Sequence, residues 1–109
     1  MTNNKKIIEE IQKKLLENEI IRISNLINIR YLTGFTGTSG LILISKKNTW
    51  FLTDGRYLEH AEKTINKIFT VKDFKDLRGE NFENFLIKNK AEKMYFESED
   101  VSVEQYKNL

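Results

Sequence analysis

The amino-acid sequence predicts an α/β fold in which helices pack on a mixed β-sheet. Between residues 4 and 18, apolar side chains recur every three or four positions, which is typical of one buried face of a helix. Residues 41–44 and 50–52 form two short apolar runs joined by the polar link 46–48, and this pattern predicts a buried β-hairpin. Strand and helix patterns alternate elsewhere, and this order together with one tight hairpin favours a mixed sheet.

The first half of the chain is predicted to contain a helix, a strand, a short helical piece and the hairpin. In the helix over residues 4–18, the core-facing positions are Ile7, Ile8, Ile11, Leu15 and Leu16. Residues 20–23 are typical of a strand. Residues 25–28 predict a turn that leads into a short helical piece through Arg30 and Leu32.

The second half begins with Asp54, which can cap a helix that ends near residue 66. The apolar positions of that helix are Tyr57, Leu58, Ala61 and Ile65. Residues 68–74 alternate as a half-buried or edge strand does, and Gly79 interrupts the pattern before a helix over residues 81–88. That helix directs Phe82, Phe85 and Leu86 to the core. A strand over residues 94–96 and a helix that begins at residue 101, with Ser102 as a capping group, complete the prediction.

Length and charge restrict the classes of protein to which the chain can belong. A chain of 109 residues is long enough for one domain with one modest core. The 18 Lys and Arg residues exceed the 16 Asp and Glu residues by only two, and the two signs are interspersed. This balance creates no field that would draw the chain onto nucleic acid or an anionic membrane, so neither is expected as a partner.

The compartment expected from the sequence is the cytoplasm. The chain contains no cysteine, which excludes disulfides and thiolate zinc sites and agrees with a reducing environment. No apolar run approaches the roughly 20 residues of a membrane helix, and the N-terminus lacks an apolar core of the signal-peptide type. A soluble cytoplasmic protein is therefore predicted.

A glycine-punctuated segment, residues 31–40, is the most distinctive part of the sequence. Gly34, Gly37 and Gly40 follow one another at a spacing of three, and the aromatic residues Tyr31 and Phe35 flank the start of this run. One interpretation is that the glycines allow a tight connection into the hairpin. The other is that they shape a binding surface for which Tyr31 and Phe35 supply contacts. Neither the dinucleotide nor the phosphate-loop pattern matches, so a nucleotide site is not expected.

The Asp54-Gly55-Arg56 turn also has two interpretations. Asp54 as a helix N-cap, with Arg56 as an ordinary surface cation, is sufficient to explain these residue types, and we favour that structural role. Alternatively, the Arg56 guanidinium can bind a carboxylate in two-pronged geometry.

A convergent set of catalytic residues is missing from this sequence. Hydrolysis requires an activated nucleophile, a carboxylate pair or a metal-bound water. His60 is the single histidine, and we expect a solvated or capping role for it because metal sites need several convergent ligands. Glu97, Glu99 and Asp100 lack the alternating pattern and central glycine of a calcium loop, so a solvated turn is expected there.

Two motifs carry a resemblance to a known family. Residues 28–40, NIRYLTGFTGTSG, followed by residues 53–57, TDGRY, resemble the N-terminal domain of the Xaa-Pro aminopeptidases (aminopeptidase P) and, more broadly, the creatinase/prolidase N-terminal domain. The resemblance extends over nearly the whole chain in element order. It implies a three-layer α/β domain on a mixed sheet that spans residues 1–109.

The resemblance also implies how the work of the enzyme is divided. In the family, a C-terminal domain with the pita-bread fold holds two divalent metals, often manganese, and cleaves the bond before a proline. None of its ligands can be placed on this sequence, so the catalytic domain is expected to be absent from this chain, which then has no catalytic residue, metal ligand or cofactor of its own. The expected partners are the catalytic domain of the same chain, further copies of the protein in a homo-oligomer, and a proline-containing peptide substrate.

Loops of the family's N-terminal domain help to form oligomers and can lean over an active site. By this resemblance, the candidates for closing a substrate channel are Tyr31, Gly34, Phe35, Gly37, Ser39 and, less strongly, Arg56. Three alternatives stay open: a stand-alone binding or scaffold domain, the N-terminal domain of a prolidase, and that of a creatinase-like hydrolase.

Overall fold

The computed structural model describes residues 4–65 and 67–97, which form alternating helices and strands. In chain order the elements are α1 (Asn4–Lys14), β1 (Glu19–Ile23), α2 (Leu26–Thr33), β2 (Leu41–Ser45), β3 (Thr49–Thr53), α3 (Gly55–Thr64), β4 (Thr70–Asp73), a 3₁₀ helix (Phe74–Leu77), α4 (Glu80–Lys88) and β5 (Lys93–Phe96). No helix within these residues is both long enough and apolar enough to cross a membrane.

The five strands form one mixed sheet in the order β4-β3-β2-β1-β5. The predicted hairpin is confirmed: β2 and β3 pair antiparallel, with Ile42 opposite Phe51. Strand β1 pairs antiparallel with β2 and parallel with β5, while β4 pairs parallel with β3. The predicted fold class, a mixed sheet with a hairpin and flanking helices, is confirmed.

Helices α1, α2 and α3 cover one face of the sheet, which we call the three-helix face. Successive side chains of a strand point to opposite faces, so alternate residues of β1 and β2 belong to this side. Its core contains residues of all three helices and of strands β1 to β3: Ile8, Ile11, Ile21, Ile23, Ile29, Leu32, Ile42, Ile44, Phe51, Ala61 and Ile65.

Helix α4 covers the opposite face, which we call the α4 face. Ile20, Leu43, Trp50 and Leu52 of the strands pack there against Phe85. Phe82 and Leu86 of α4 are partly buried against the same cluster, as predicted from their spacing. The sheet therefore has helices on both faces, which gives the three layers implied by the resemblance.

The first helix ends four residues earlier than predicted. It stops at Lys14, and the Leu16 amide donates to the Glu19 carboxylate over 2.8 Å. Leu16 is 64% exposed, so its predicted place in the core is wrong. The helical spacing continued past Lys14, but the Glu19 side chain competes for backbone donors and helps to end the helix.

The strand predicted over residues 68–74 is shorter in the structure. Strand β4 ends at Asp73, whose carboxylate accepts a hydrogen bond from the Lys75 amide over 3.0 Å and caps the 3₁₀ helix. The helix predicted from residue 101 onward lies outside the described residues.

Candidate functional site

The candidate site consists of the loop Gly34–Gly40 and the first turn of α3. The loop starts where α2 ends. Gly34 adopts φ of 78° and donates its amide to the Arg30 carbonyl over 2.7 Å. A left-handed residue after the last helical turn is favourable for glycine because it has no Cβ. Gly34 thus ends α2 and turns the chain away from the helix axis.

Phe35 lies in the core rather than on the surface. Its side chain is 3% exposed, and its ring meets Phe51 edge-on at a centroid distance of 4.8 Å and Tyr57 at 5.5 Å. This burial contradicts the expectation that Phe35 supplies a surface contact. The apolar ring is more stable in the core than in water, so Phe35 fixes the loop from beneath.

Gly37 lies directly over these rings. A Cβ at this position would be 2.4 Å from Cζ of Phe35 and 3.1 Å from Cε1 of Tyr57. The backbone can approach the rings this closely only without a side chain. The glycine spacing noticed in the sequence therefore has a packing explanation at Gly37 and a conformational one at Gly34.

Asp54 joins the end of the loop to the start of α3. Its Oδ1 accepts the Arg56 amide over 2.9 Å, which confirms the predicted N-cap. The Arg56 guanidinium holds the Asp54 carboxylate with two bonds, Nε to Oδ1 at 3.1 Å and Nη2 to Oδ2 at 2.9 Å. These side-chain bonds are the main reason that the pKa of Asp54 falls to about 2, and the Ser39 side chain also lowers it.

Two further hydrogen bonds hold the loop against the same turn. The Thr53 hydroxyl donates to the Ser39 carbonyl over 2.6 Å. The hydroxyls of Thr38 and Tyr57 are 3.2 Å apart, and this hydrogen bond lowers the pKa of Tyr57. The loop is thereby fixed at its start, middle and end.

Arg56 and Tyr31 are the predicted site residues with the most accessible side chains. The Arg56 side chain is 73% exposed, and its guanidinium lies 5.2 Å from the centroid of the Tyr57 ring. Tyr31 is 41% exposed on α2. No hydrogen bond or ring contact in the part of the chain that the structure describes joins Tyr31 to Ser39 or Arg56. The structure therefore brings Phe35, Gly37, Ser39 and Arg56 together around Asp54 and Tyr57, and Tyr31 takes no part in these contacts.

The exposed groups of this site can hold a ligand by hydrogen bonds and charge. A guanidinium binds carboxylates and carbonyl oxygens, and the Thr38 and Tyr57 hydroxyls both donate and accept. Within residues 4–65 and 67–97, no three His, Cys, Asp or Glu side chains come together as a metal site would require. His60 is exposed on α3, in agreement with the solvated role predicted for it.

Glu97 has a structural role that its sequence context does not predict. Its carboxylate accepts hydrogen bonds from the backbone amides of Ser24 and Asn25, the latter over 2.5 Å, and from the Asn28 amide group over 2.9 Å. The solvated turn predicted for Glu97 is therefore wrong, because the side chain ties the end of β5 to the start of α2. Glu99 and Asp100, which belong to the same prediction, lie outside the described residues. The sequence contains no local signal for this contact, because the partners are about seventy positions away.

Comparisons with known proteins agree with this architecture. Residues 5–109 match the model of the Creatinase/Prolidase N-terminal domain family. An uncharacterized peptidase, YqhT, of Bacillus subtilis (strain 168) is 50% identical over 38 residues, which are 35% of this chain and 11% of that protein.

Two solved structures share the fold over almost the whole chain. The Xaa-Pro dipeptidase of Bacillus anthracis is 28% identical with a TM-score of 0.73, and the match covers 95% of this chain and 30% of that one. The aminopeptidase P structure from Streptococcus thermophilus is 27% identical with a TM-score of 0.72, covering 98% of this chain and 83% of that one.

This chain spans only 11% of the curated B. subtilis relative and 30% of the B. anthracis chain. The similarity to the B. anthracis and S. thermophilus structures covers 95% and 98% of this chain, so it extends well beyond the two motifs. Because the family model matches residues 5–109, the chain belongs to the Creatinase/Prolidase N-terminal domain family.

Proposed function

We propose that this chain is the non-catalytic N-terminal domain of a metal-dependent Xaa-Pro aminopeptidase, in which it shapes substrate access and oligomer assembly. The observation that carries the proposal is the loop Gly34–Gly40, which the core and the α3 turn hold in place beside the exposed Arg56. A rigid loop with an accessible cation can border a peptide channel without carrying out chemistry.

Each candidate residue has a distinct part in this proposal. Arg56 presents an exposed guanidinium to a passing peptide, Ser39 a half-buried hydroxyl beside Asp54, and Tyr31 an exposed aromatic surface. Gly34, Phe35 and Gly37 support the loop from within. Arg56 is already paired with Asp54. A peptide carboxylate would share the guanidinium with Asp54 or displace it, and because an exposed ion pair contributes little free energy, this exchange costs little.

The exposed side of α2 supports a role in assembly. Ile27 is 79% exposed and lies one turn before Tyr31 on the same side of the helix. Leu26, 43% exposed, extends this apolar surface. A second copy of the protein that covers these side chains would remove apolar area from water, which favours association.

Bond cleavage is assigned in this proposal to a separate pita-bread domain that holds the divalent metal, manganese by family resemblance. The described residues offer no convergent ligand set, so we derive no chemical step on this chain. A cytoplasmic location is part of the same proposal. The dipeptidase similarity at 28% identity is as strong as the aminopeptidase similarity at 27%, so a prolidase is the second candidate.

The access role can be tested in a full-length protein that contains this domain. We expect Arg56→Ala to lower kcat/KM for an Xaa-Pro peptide about tenfold, because a charge-assisted hydrogen bond contributes about 1.5–3 kcal/mol. Steady-state kinetics on an Xaa-Pro tripeptide and an Xaa-Pro dipeptide would also separate the aminopeptidase from the prolidase.

The matched control is Lys63→Ala, which removes another exposed, ion-paired cation from α3. Metal content should stay unchanged in both variants. Arg56→Ala should lower the melting temperature because it removes both bonds to the Asp54 carboxylate, so the kinetics are measured well below that temperature. Unchanged kinetics in the Arg56 variant, or an equal loss in the Lys63 variant, would refute an access role for Arg56.

A further inference from the structure

A concave surface lies on the α4 face, between the sheet and α4. Its volume is about 510 Å³, within the range of about 300–1,000 Å³ that small-ligand sites occupy. We call it the asparagine groove. It is lined by Asn48, Trp50, Lys72, Asp76, Leu77, Asn81, Asn84, Phe85, Lys88 and Asn89. None of these residues belongs to the loop Gly34–Gly40 or to the first turn of α3.

Trp50 lines the groove and carries an indole N–H that has no acceptor among the described residues. Its side chain is 7% exposed and its ring packs edge-on against Phe85 at a centroid distance of 4.7 Å. Among residues 4–65 and 67–97, no group accepts a hydrogen bond from its indole N–H. Buried indole N–H groups usually have a partner, and an acceptor bound in the groove would supply one.

The remaining polar lining is rich in donors. Asn81, Asn84 and Lys88 follow one another at helical intervals of three and four along α4, and Lys72 lies across from them on β4. No hydrogen bond in the described part of the chain uses the side-chain amides of Asn81 or Asn84. Asn89, by contrast, donates to the Phe85 carbonyl over 2.8 Å and serves to end α4.

The charges of the lining restrict the ligand further. Two lysines and one carboxylate, Asp76, give the groove a net charge of +1. Amide side chains pair with both the N–H and the C=O of a peptide group, and ammonium groups attract a carboxylate.

From these contacts we infer that the asparagine groove binds a short acidic peptide, with its carboxylate near Lys72 and Lys88 and an acceptor on the Trp50 indole N–H. The site is separate from the proposed channel and does not depend on the peptidase assignment.

The test uses the single tryptophan of the chain, which gives one indole signal in a ¹H–¹⁵N spectrum. We expect a triglutamate peptide to shift the Trp50 indole signal in a saturable way, and trialanine amide to leave it in place. Replacing both cations, Lys72→Gln with Lys88→Gln, should weaken binding about tenfold or more, since charge-assisted bonds are lost. The matched double variant, Lys13→Gln with Lys14→Gln on α1, should bind as the wild type does.

Asp76→Asn provides a variant whose expected effect has the opposite sign. Removing this carboxylate should tighten binding of triglutamate on the order of threefold, because a nearby repulsion disappears. A variant that merely disturbed the fold would weaken binding instead, and the dispersion of the backbone signals reports folding in each sample.

Three results would overturn the inference. The first is an indole signal that triglutamate does not move at millimolar concentration. The second is equal binding by the Lys72 and Lys88 double variant. The third is an equal shift with inorganic phosphate alone, which would indicate general anion binding rather than an acidic-peptide site.

Discussion

The two faces of the sheet differ in how completely helices cover them. On the three-helix face, Ile23, Ile42 and Phe51 are fully buried beneath α1, α2 and α3. On the α4 face, one helix and a 3₁₀ turn cover the sheet, and Leu41, Phe82 and other apolar residues stay partly exposed. The comparison indicates that the first face supplies most of the stability, while the second leaves room for the asparagine groove.

The candidate site, the loop Gly34–Gly40 with the first turn of α3, rests on the more fully buried of the two faces. The rings of Phe35 and Tyr57 belong to or pack against the core of the three-helix face, and they fix the loop that carries the exposed groups. The groove instead uses side chains at the border of a partly covered face. The loop site therefore carries exposed groups on a buried aromatic support, whereas the groove is formed by side chains that are themselves only partly covered.

The largest expected loss of stability comes from truncating a buried side chain on the three-helix face. Phe51→Ala should lower the free energy of unfolding by about 3–5 kcal/mol, because it leaves a cavity beneath three helices. Phe82→Ala, on the α4 face, should cost less than about 2 kcal/mol because its ring is only partly buried. Urea unfolding of both variants would measure this difference. Equal losses would show that the two faces contribute alike.

A smaller loss of folding stability is expected for Gly37→Ala in the loop. The new Cβ would overlap Cζ of Phe35 at 2.4 Å, so the loop or the ring must shift, at a cost of about 1–3 kcal/mol. Thermal unfolding would measure the loss. The control is Gly55→Ala in the first turn of α3, where the nearest atom to a Cβ is an Asp73 oxygen at 3.8 Å. That variant should be neutral or more stable by up to about 1 kcal/mol.

The smallest expected effect is the pH dependence of the stability that the Asp54 charge contributes. Its pKa is about 2 in the folded chain and 3.8 ordinarily, so its charge stabilises the fold above about pH 4. This contribution is lost as pH falls from about 4 to about 2. Asp54→Asn keeps an N-cap but removes the charge, so the stability difference from the wild type should shrink over this window.

Urea unfolding of both proteins between pH 2 and pH 7 would measure that difference. Glu19 also has a lowered pKa, caused first by the Leu16 amide and then by the Tyr95 hydroxyl. It is present in both proteins, so its own acid response cancels in the comparison. A difference that is constant across the whole range would contradict the assignment to Asp54.

The sequence predicted the features that depend on local pattern. The hairpin, the Asp54 cap and the helix over residues 81–88 follow from residue spacing within one element, and the structure confirms them. The two glycine motifs also sufficed to indicate the family. The first helix was extended too far, because periodicity alone does not show that the Glu19 carboxylate accepts the Leu16 amide.

By itself, the amino-acid sequence determined the type of almost every element and the family, because periodicity, capping residues and glycine motifs act over a few positions. Only the tertiary structure decided that Phe35 is buried and that Glu97 ties β5 to α2. It also placed β5 parallel to β1 and assembled the asparagine groove from four separate elements, β3, β4, the 3₁₀ helix and α4. These features arise from contacts between distant segments, whose energies depend on how whole elements pack and leave no short-range pattern in the chain.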